Sequence, residues 1–333
     1  MILDRKYYFI SLFIILILYI IFFYTNPSTT SSKYQNIING STMGTTYSIE
    51  IIDSTLNDTD ILFLEEIIDS ILLDVNNLFS TYIDSSEINK VNNSTQIKFS
   101  STFTDLYNKA VKYCKLSHGR YDITVSPLIA LWGFSDYNYT DFPSYSGIKE
   151  TLVYVGYSKI TEISPKYKAG KPIQLEIKKD INTKIDLNSI AKGYAVDMIY
   201  DYLNNSKYDL KNYLIEIGGE LRSKNNSDKN WTIGIQNPQE NSIIHKINLS
   251  NYSLATSGTY NNYFEKDGTK YSHIINPITG YPIEQNIVSA TVIAPNCVDA
   301  DALATLLMVI DWKEGITIIN NLVNTECFII LKD

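Results

Sequence analysis

Between Tyr213 and Ala294 the chain reads as one strand after another, and its helical periodicity lies to either side of that stretch. Turn signals at Gly218-Gly219, Asn237-Pro238, Asp267-Gly268 and Thr279-Gly280 divide the run. Upstream, Thr45–Ile52 alternates as a strand. Asp60–Leu78 then carries apolar residues at Ile61, Leu64, Ile67, Ile68, Ile71, Leu72 and Val75, the stripe of an amphipathic helix. A second helix is expected over Thr102–His118, stopped by Gly119. Ile173–Ile177 and Ile185–Leu187 read as strands and Ile190–Leu203 as a helix. The chain closes with helices near Ala300–Ile310 and Trp312–Leu322 and a last strand at Cys327–Leu331. Such segregation predicts an α+β fold rather than a doubly wound sheet. No G-x-G-x-x-G follows a strand, so a Rossmann dinucleotide site is not indicated.

With 333 residues, 44% of them hydrophobic and 19% charged, the chain can bury a sizeable core. A formal net charge of −8 without a basic stripe argues against nucleic acid as a partner. Lysines are scattered, and Lys178 and Lys179 read as a solvated hairpin edge. Cys114, Cys297 and Cys327 show no metal-type spacing and read as small buried hydrophobes, with a disulfide between two of them left open.

Tyr7 to Tyr24 is almost continuously apolar, long enough at about 1.5 Å per residue to approach the roughly 30 Å core of a bilayer. Arg5 and Lys6 precede it and a Ser/Thr-rich linker follows. The positive-inside rule therefore leaves residues 1–6 cytoplasmic, makes 7–24 a single-pass signal anchor in the cytoplasmic membrane, and sends the rest outside after a linker over 25–39. A cleaved signal peptide is the other reading, disfavoured by the bulky end of the apolar run and the lack of a small-x-small site.

Near the C-terminus, Asp301 and Thr305 stand one helical turn apart just inside a helix that follows Ile287–Ile293 and Pro295. Residues i and i+4 share a face, so a carboxylate and a hydroxyl converge. Hard oxygen donors favour Mg²⁺, and an ion held by a single carboxylate completes its shell with waters or substrate phosphates. The alternative is that Asp301 complements the helix dipole and Thr305 packs. Asp186 ends a short strand, and Asn188 and Ser189 then open a helix with N-cap residue types, a place suited to phosphate.

Four stretches must be read together: Gly40-Ser-Thr-Met-Gly-Thr-Thr-Tyr47, Asp186-Leu-Asn-Ser-Ile-Ala-Lys-Gly-Tyr-Ala-Val-Asp197, Ser272-His-Ile-Ile-Asn-Pro-Ile-Thr-Gly-Tyr-Pro282 and Ala300-Asp-Ala-Leu-Ala-Thr305. Tyr121-Asp-Ile-Thr-Val-Ser-Pro-Leu128, Glu216-Ile-Gly-Gly-Glu-Leu221 and Ala255-Thr-Ser-Gly-Thr-Tyr260 support them. In order and separation this set resembles the ApbE family, the FAD:protein FMN transferases, from about Gly40 to the C-terminus. The resemblance implies a single large, T-fold-like flavin transferase domain over residues 40–333. It implies that the backbone carbonyl of Ala191 joins Asp301 and Thr305 as a Mg²⁺ ligand. For FAD it carries over Met43, Tyr82, Arg120, Tyr121, Asp122, Asn188, Tyr194 and Ile275. Apolar and aromatic walls from Met43, Tyr82 and Ile275 suit a flat ring, and Asp122 suits ribose or base edges. Two positions depart from the family pattern: Asn276 stands where an Asp commonly precedes the Pro, and Asn261 where an Arg commonly follows Gly-Thr-Tyr.

Of the three histidines, His273 is the acid–base candidate, with a hydrogen-bonded strand histidine as its bland alternative. Lys192 suits developing charge on phosphorus, or else faces solvent. The expected reaction moves FMN from FAD to a Thr or Ser hydroxyl of a partner and releases AMP. The resemblance implies acceptors among the flavin-carrying subunits of Na⁺-pumping NADH:quinone oxidoreductase or Rnf-type complexes. An FAD pyrophosphatase and a non-catalytic FAD-binding protein are the alternatives.

Overall fold

The computed structural model describes residues 35–52, 55–135, 142–163, 166–168, 171–226, 230–238, 240, 242–259, 263–266, 268–284 and 286–332. The expected anchor at Tyr7–Tyr24 and Asn261 lie outside them. Among the described residues no helix is long and apolar enough to cross a membrane.

Seven strands form the central sheet: β1 (Gln35–Thr42), β2 (Thr45–Ile52), β3 (Asn212–Ile217), β4 (Glu220–Asn225), β5 (Ser253–Gly258), β6 (Ile287–Ala294) and β7 (Glu326–Leu331). Their order across the sheet is their order along the chain, and every neighbouring pair is antiparallel. β1 takes in Gln35 to Asn39, the end of the expected linker, because Ile38 buries its side chain on the sheet. Two-residue turns close two of the hairpins. Met43 and Gly44 join β1 to β2, and Gly218 and Gly219 join β3 to β4, all four with positive φ, as a turn matched to the strand twist requires.

Five helices matter for the site: α1 (Asp58–Phe79), α2 (Ser101–Leu116), α3 (Asn188–Asn204), α4 (Cys297–Val309) and α5 (Trp312–Asn320). α3 lies against β3 and β4, α4 lies against β5 and β6, and α1 packs on α3. Between sheet and helices sits the main core. Alternate residues Tyr47, Ile49 and Ile51 of β2 and Tyr213, Ile215 and Ile217 of β3 enter it, as do Leu64, Ile68, Leu72 and Val75 of α1. Each such side chain contributes about 1.5–3 kcal/mol on full burial. Leu221, Leu249 and Leu254 form a separate small cluster, against which Trp231, Ile233 and Ile247 of the ribbon Trp231–Gln236/Ile243–Leu249 pack. A third cluster gathers Leu128, Trp132, Phe134, Ile148, Val155 and Ile275, with Trp132 Nε1 donating to the Gly280 carbonyl at 2.8 Å.

Several local expectations change. Ile185–Leu187 is not a strand: Asn92 takes the place of a neighbouring strand, accepting from the Ile185 N–H at 2.7 Å and donating to its carbonyl at 2.9 Å. α2 ends at Leu116, because His118 and Gly119 both turn to positive φ. α4 starts three residues earlier than Ala300, at Cys297, where the Asn296 side chain caps it. Lys179 is no solvated edge. It is 5% exposed, with its ammonium directed at the carbonyls of Asn92 and Asp180. All three cysteines are free thiols, Cys114 and Cys297 buried and Cys327 partly so.

Candidate active site between two helices and the sheet end

Helices α3 and α4 touch at Gly193. A Cβ there would stand 2.4 Å from the Cys297 carbonyl oxygen and 2.8 Å from Asp301 Cβ, so only glycine permits this approach. The contact brings the Gly193 N–H to 2.9 Å from Asp301 Oδ2, to which it donates. One turn along α3, Asp197 fixes the start of α4: Cys297 N–H and Val298 N–H donate to its two carboxylate oxygens, each at 2.9 Å. Arg222 of β4 donates to Asp197 Oδ1 at 2.6 Å, and its guanidinium lies over the Tyr200 ring. With Asn296 accepting from Asp299 N–H at 2.9 Å, the first three amides of α4 are occupied. The positive end of α4 therefore stabilises Asp197 and is not open to a ligand.

Beside this junction lies a cavity of about 720 Å³. It collects ten of the residues singled out from sequence: Tyr82, Arg120, Tyr121, Asp122, Asn188, Lys192, His273, Ile275, Asp301 and Thr305. Met43, Ala191 and Tyr194 are not in its lining. Met43 forms the corner of the β1–β2 hairpin, Ala191 is fully buried in α3, and Tyr194 packs edge-on against Phe79 in the main core at 5.8 Å between ring centres. α3 has Leu187 as its N-cap, with no side-chain cap bond. Asn188 is its first helical residue, and Asp186 accepts the Asn188 N–H at 2.7 Å.

The polar floor holds three charges. Lys192 of α3 makes an ion pair with Glu220 of β4, and Asp301 adds a second carboxylate. Asp301 is 3% and Glu220 2% exposed. Burial pushes both carboxyls above the usual range, while Lys192 opposes the rise. Burial alone lowers the Lys192 ammonium, but Asp301 and Glu220 more than offset it and hold the group charged. Thr305 extends the floor from Asp301, its hydroxyl 3.2 Å from that of Ser257 on β5.

The opposite wall is braced internally. Arg120 makes a two-pronged bond with Glu314 of α5, at 2.7 and 2.5 Å, and its Nε donates to the Ser117 carbonyl at 3.1 Å. Asp122 accepts from the Thr124 N–H and hydroxyl at 2.8 and 2.6 Å and from the Tyr157 N–H at 2.7 Å. Its carboxylate thus already holds the segment around Tyr157, beyond the substrate contact expected of it. Tyr121 and Ser189 share a hydrogen bond of 2.8 Å. His273 is half-buried, 6.4 Å from the Phe134 ring. Tyr82 stands at the mouth, 75% exposed.

The residues fit a divalent cation. Among the described residues no three His, Cys, Asp or Glu side chains converge on a metal. The expected set needs only one carboxylate, and the floor has two buried carboxylates against one ammonium, with Glu220 Oε2 buried and without a hydrogen-bond partner. Two buried carboxyls facing one ammonium, both pushed upward by burial, make a set that takes up either a proton or a cation. Glu220, Asp197 and Arg222 were not singled out from the sequence. Their signals were present in the Gly-Gly-Glu turn and the Asp that ends the α3 stretch, but only the fold shows what they face.

The sequence model of the ApbE family matches residues 43–329. This chain belongs to the ApbE family. ApbE relatives named FAD:protein FMN transferase include that of Vibrio cholerae, 36% identical over 288 residues, 84% of this chain and 83% of the relative. The Haemophilus influenzae protein of the same name is 36% identical over 291 residues, 84% and 82% of the two chains. Among solved structures, the flavin transferase ApbE of Vibrio cholerae superposes with a TM-score of 0.77 at 33% identity, over 90% of this chain and 94% of that one. The ApbE protein of Thermotoga maritima gives 0.78 at 29% identity, over 89% and 94%. The fold is thus the mixed α and β fold of ApbE flavin transferases.

Proposed function

We propose that the chain is a Mg²⁺-dependent FAD:protein FMN transferase. The observation that carries this reading is the gathering of Asp301, Thr305, Lys192 and His273 on one cavity in a chain whose relatives bear that name. A Thr or Ser hydroxyl of an acceptor flavoprotein subunit attacks the FMN phosphorus of FAD. A new P–O bond forms to the hydroxyl oxygen, the P–O bond to AMP breaks, and AMP leaves. Asp301, Thr305 and the Ala191 carbonyl are the residues that would hold Mg²⁺. When bound, the ion neutralises charge on the diphosphate and the leaving phosphate. Lys192 places a fixed positive charge beside the same phosphates. His273 takes the hydroxyl proton. Tyr82 and Ile275 flank the flat ring, and Arg120 with Tyr121 shapes the wall behind it.

The chain is proposed to act outside the cytoplasm, tethered by the apolar run Tyr7–Tyr24. Flavin-carrying subunits of Na⁺-pumping NADH:quinone oxidoreductase or Rnf-type complexes are the proposed acceptors.

Incubation with FAD, Mg²⁺ and such a subunit tests the reaction. A covalent FMN adduct together with AMP supports it, whereas free FMN with AMP marks a pyrophosphatase and unchanged FAD a binding protein. Asp301→Asn preserves an acceptor for the Gly193 N–H while removing the charge. It is expected to raise the Mg²⁺ concentration needed for half-maximal turnover, and an unshifted Mg²⁺ titration would remove Asp301 from the metal's ligands.

A further inference from the structure

Glu220 is as deeply buried on the cavity floor as Asp301, and the reaction as described does not use it. It begins β4 directly after the Gly218-Gly219 turn, where its backbone pairs with Ile217. The turn is fixed on both sides. The Gly218 N–H donates to the Thr46 carbonyl at 3.1 Å, the Gly219 N–H to Glu216 at 2.7 Å, and a Cβ on Gly218 would stand 2.7 Å from Thr45 Cγ2. The carboxylate is therefore delivered by rigid backbone. One oxygen holds the Lys192 ammonium, and the other is buried with no hydrogen-bond partner among the described residues.

Such a pair is a poor way to stabilise a fold. Desolvating two charges costs as much as their attraction returns unless every remaining lone pair is satisfied, and here one is not. Lys192 is flexible on its own, with four rotatable bonds, and the cavity it lines carries Asp301 of α4 as well as Glu220 of β4. Glu220 is its ion-pair partner among the described residues, and Asp301 is the other carboxylate whose charge attracts it.

We infer that Glu220 is a positioning residue: it holds the Lys192 ammonium on the cavity floor apart from Asp301, so that Lys192 meets the substrate diphosphate while Asp301 stays open to the cation. The inference rests on the flavin transferase reading of this cavity, but it makes a claim about two side chains that can be tested without turnover.

The experiment is a double-mutant cycle with Glu220→Gln and Lys192→Met, read first as FAD affinity by quenching of flavin fluorescence and then as single-turnover FMN transfer. Glu220→Gln keeps the side chain's size. Each single variant is expected to weaken FAD binding about tenfold, and the double variant to be no weaker than Lys192→Met alone, because Glu220 acts only through Lys192. kcat is expected to fall with little change in the KM for the acceptor. Losses that multiply in the double variant, or a Glu220→Gln effect on the Mg²⁺ titration that persists in the Lys192→Met background, would overturn the inference and make Glu220 an independent ligand. Unchanged FAD affinity in folded Glu220→Gln would overturn it as well. Absence of transfer by the wild-type chain would count against the parent reading alone, since the binding cycle stands without it. Urea unfolding of each variant identifies any that merely fails to fold.

Discussion

Among single residues, Gly193 carries an unusually large share of the site's geometry. Gly193→Ala forces a methyl into backbone, not into a yielding side chain, and the expected cost is about 1–3 kcal/mol of stability. Because the strain falls on the α3–α4 contact, loss of Mg²⁺-dependent turnover should exceed what the folded fraction explains. Urea unfolding and Mg²⁺ titration of the same sample measure both, and a variant with wild-type turnover would show that the contact can relax. For His273, replacement by Gln should leave FAD affinity intact and reduce transfer by about 10²–10⁴. A drop in thermal stability with full transfer per folded molecule would return it to ordinary packing. Asn276, which departs from the family pattern, keeps its place in the turn by accepting from the Ile278 and Thr279 N–H groups at 2.9 and 3.2 Å, bonds that a carboxylate accepts equally well. An Asp at this position would add a charge and could keep both bonds.

At the level of elements, the decisive join is the start of α4. Asp197→Asn leaves only one carbonyl oxygen for two amides and deprives the partly buried Arg222 of its counter-charge. About 3 kcal/mol of destabilisation is expected, the range for breaking a buried pair, with fraying of the first turn, which leads directly into Asp301. Hydrogen exchange at residues 297–301 reads that fraying, and unchanged protection would show that Asn296 alone suffices as a cap. Element types were legible because their periodicity is long and regular: α1 shows its stripe at Leu64, Ile68, Leu72 and Val75, and all four are buried. Their joints were not. Leu187 caps α3 without a capping side chain because Asp186 accepts the amide instead, and Ile185 pairs with a side chain from 93 residues away. Such partners leave no local trace in a sequence. The same limit applies to the site. Asp301 and Thr305 announce themselves by spacing on one helix, whereas Glu220 and Lys192 meet only because β4 and α3 lie side by side.

Across the whole molecule, the cavity has walls of different kinds. One, with Asp301 and Lys192, rises from α3 and α4, whose other faces enter the main core, and the other belongs to the small cluster around Trp132, Phe134 and Ile275. The proposed tether, the apolar run Tyr7–Tyr24, can be tested on the full chain. After high-salt extraction the protein is expected to remain in the membrane fraction, since hydrophobic anchoring is not screened. Recovery of a soluble mature chain beginning after Tyr24 would establish cleavage instead. The sheet is a meander whose strands follow chain order, yet the bond that closes the site joins residues 108 positions apart. A chain emerging from the ribosome completes β1 to β5 and the whole of α3 before α4 exists. Asp301, Thr305 and Val309 are therefore the last of the cavity's lining residues to be synthesised, and the cavity is complete only once α4 has formed. A ligand that needs this floor would act as a latch on the finished molecule rather than as a guide to its early assembly.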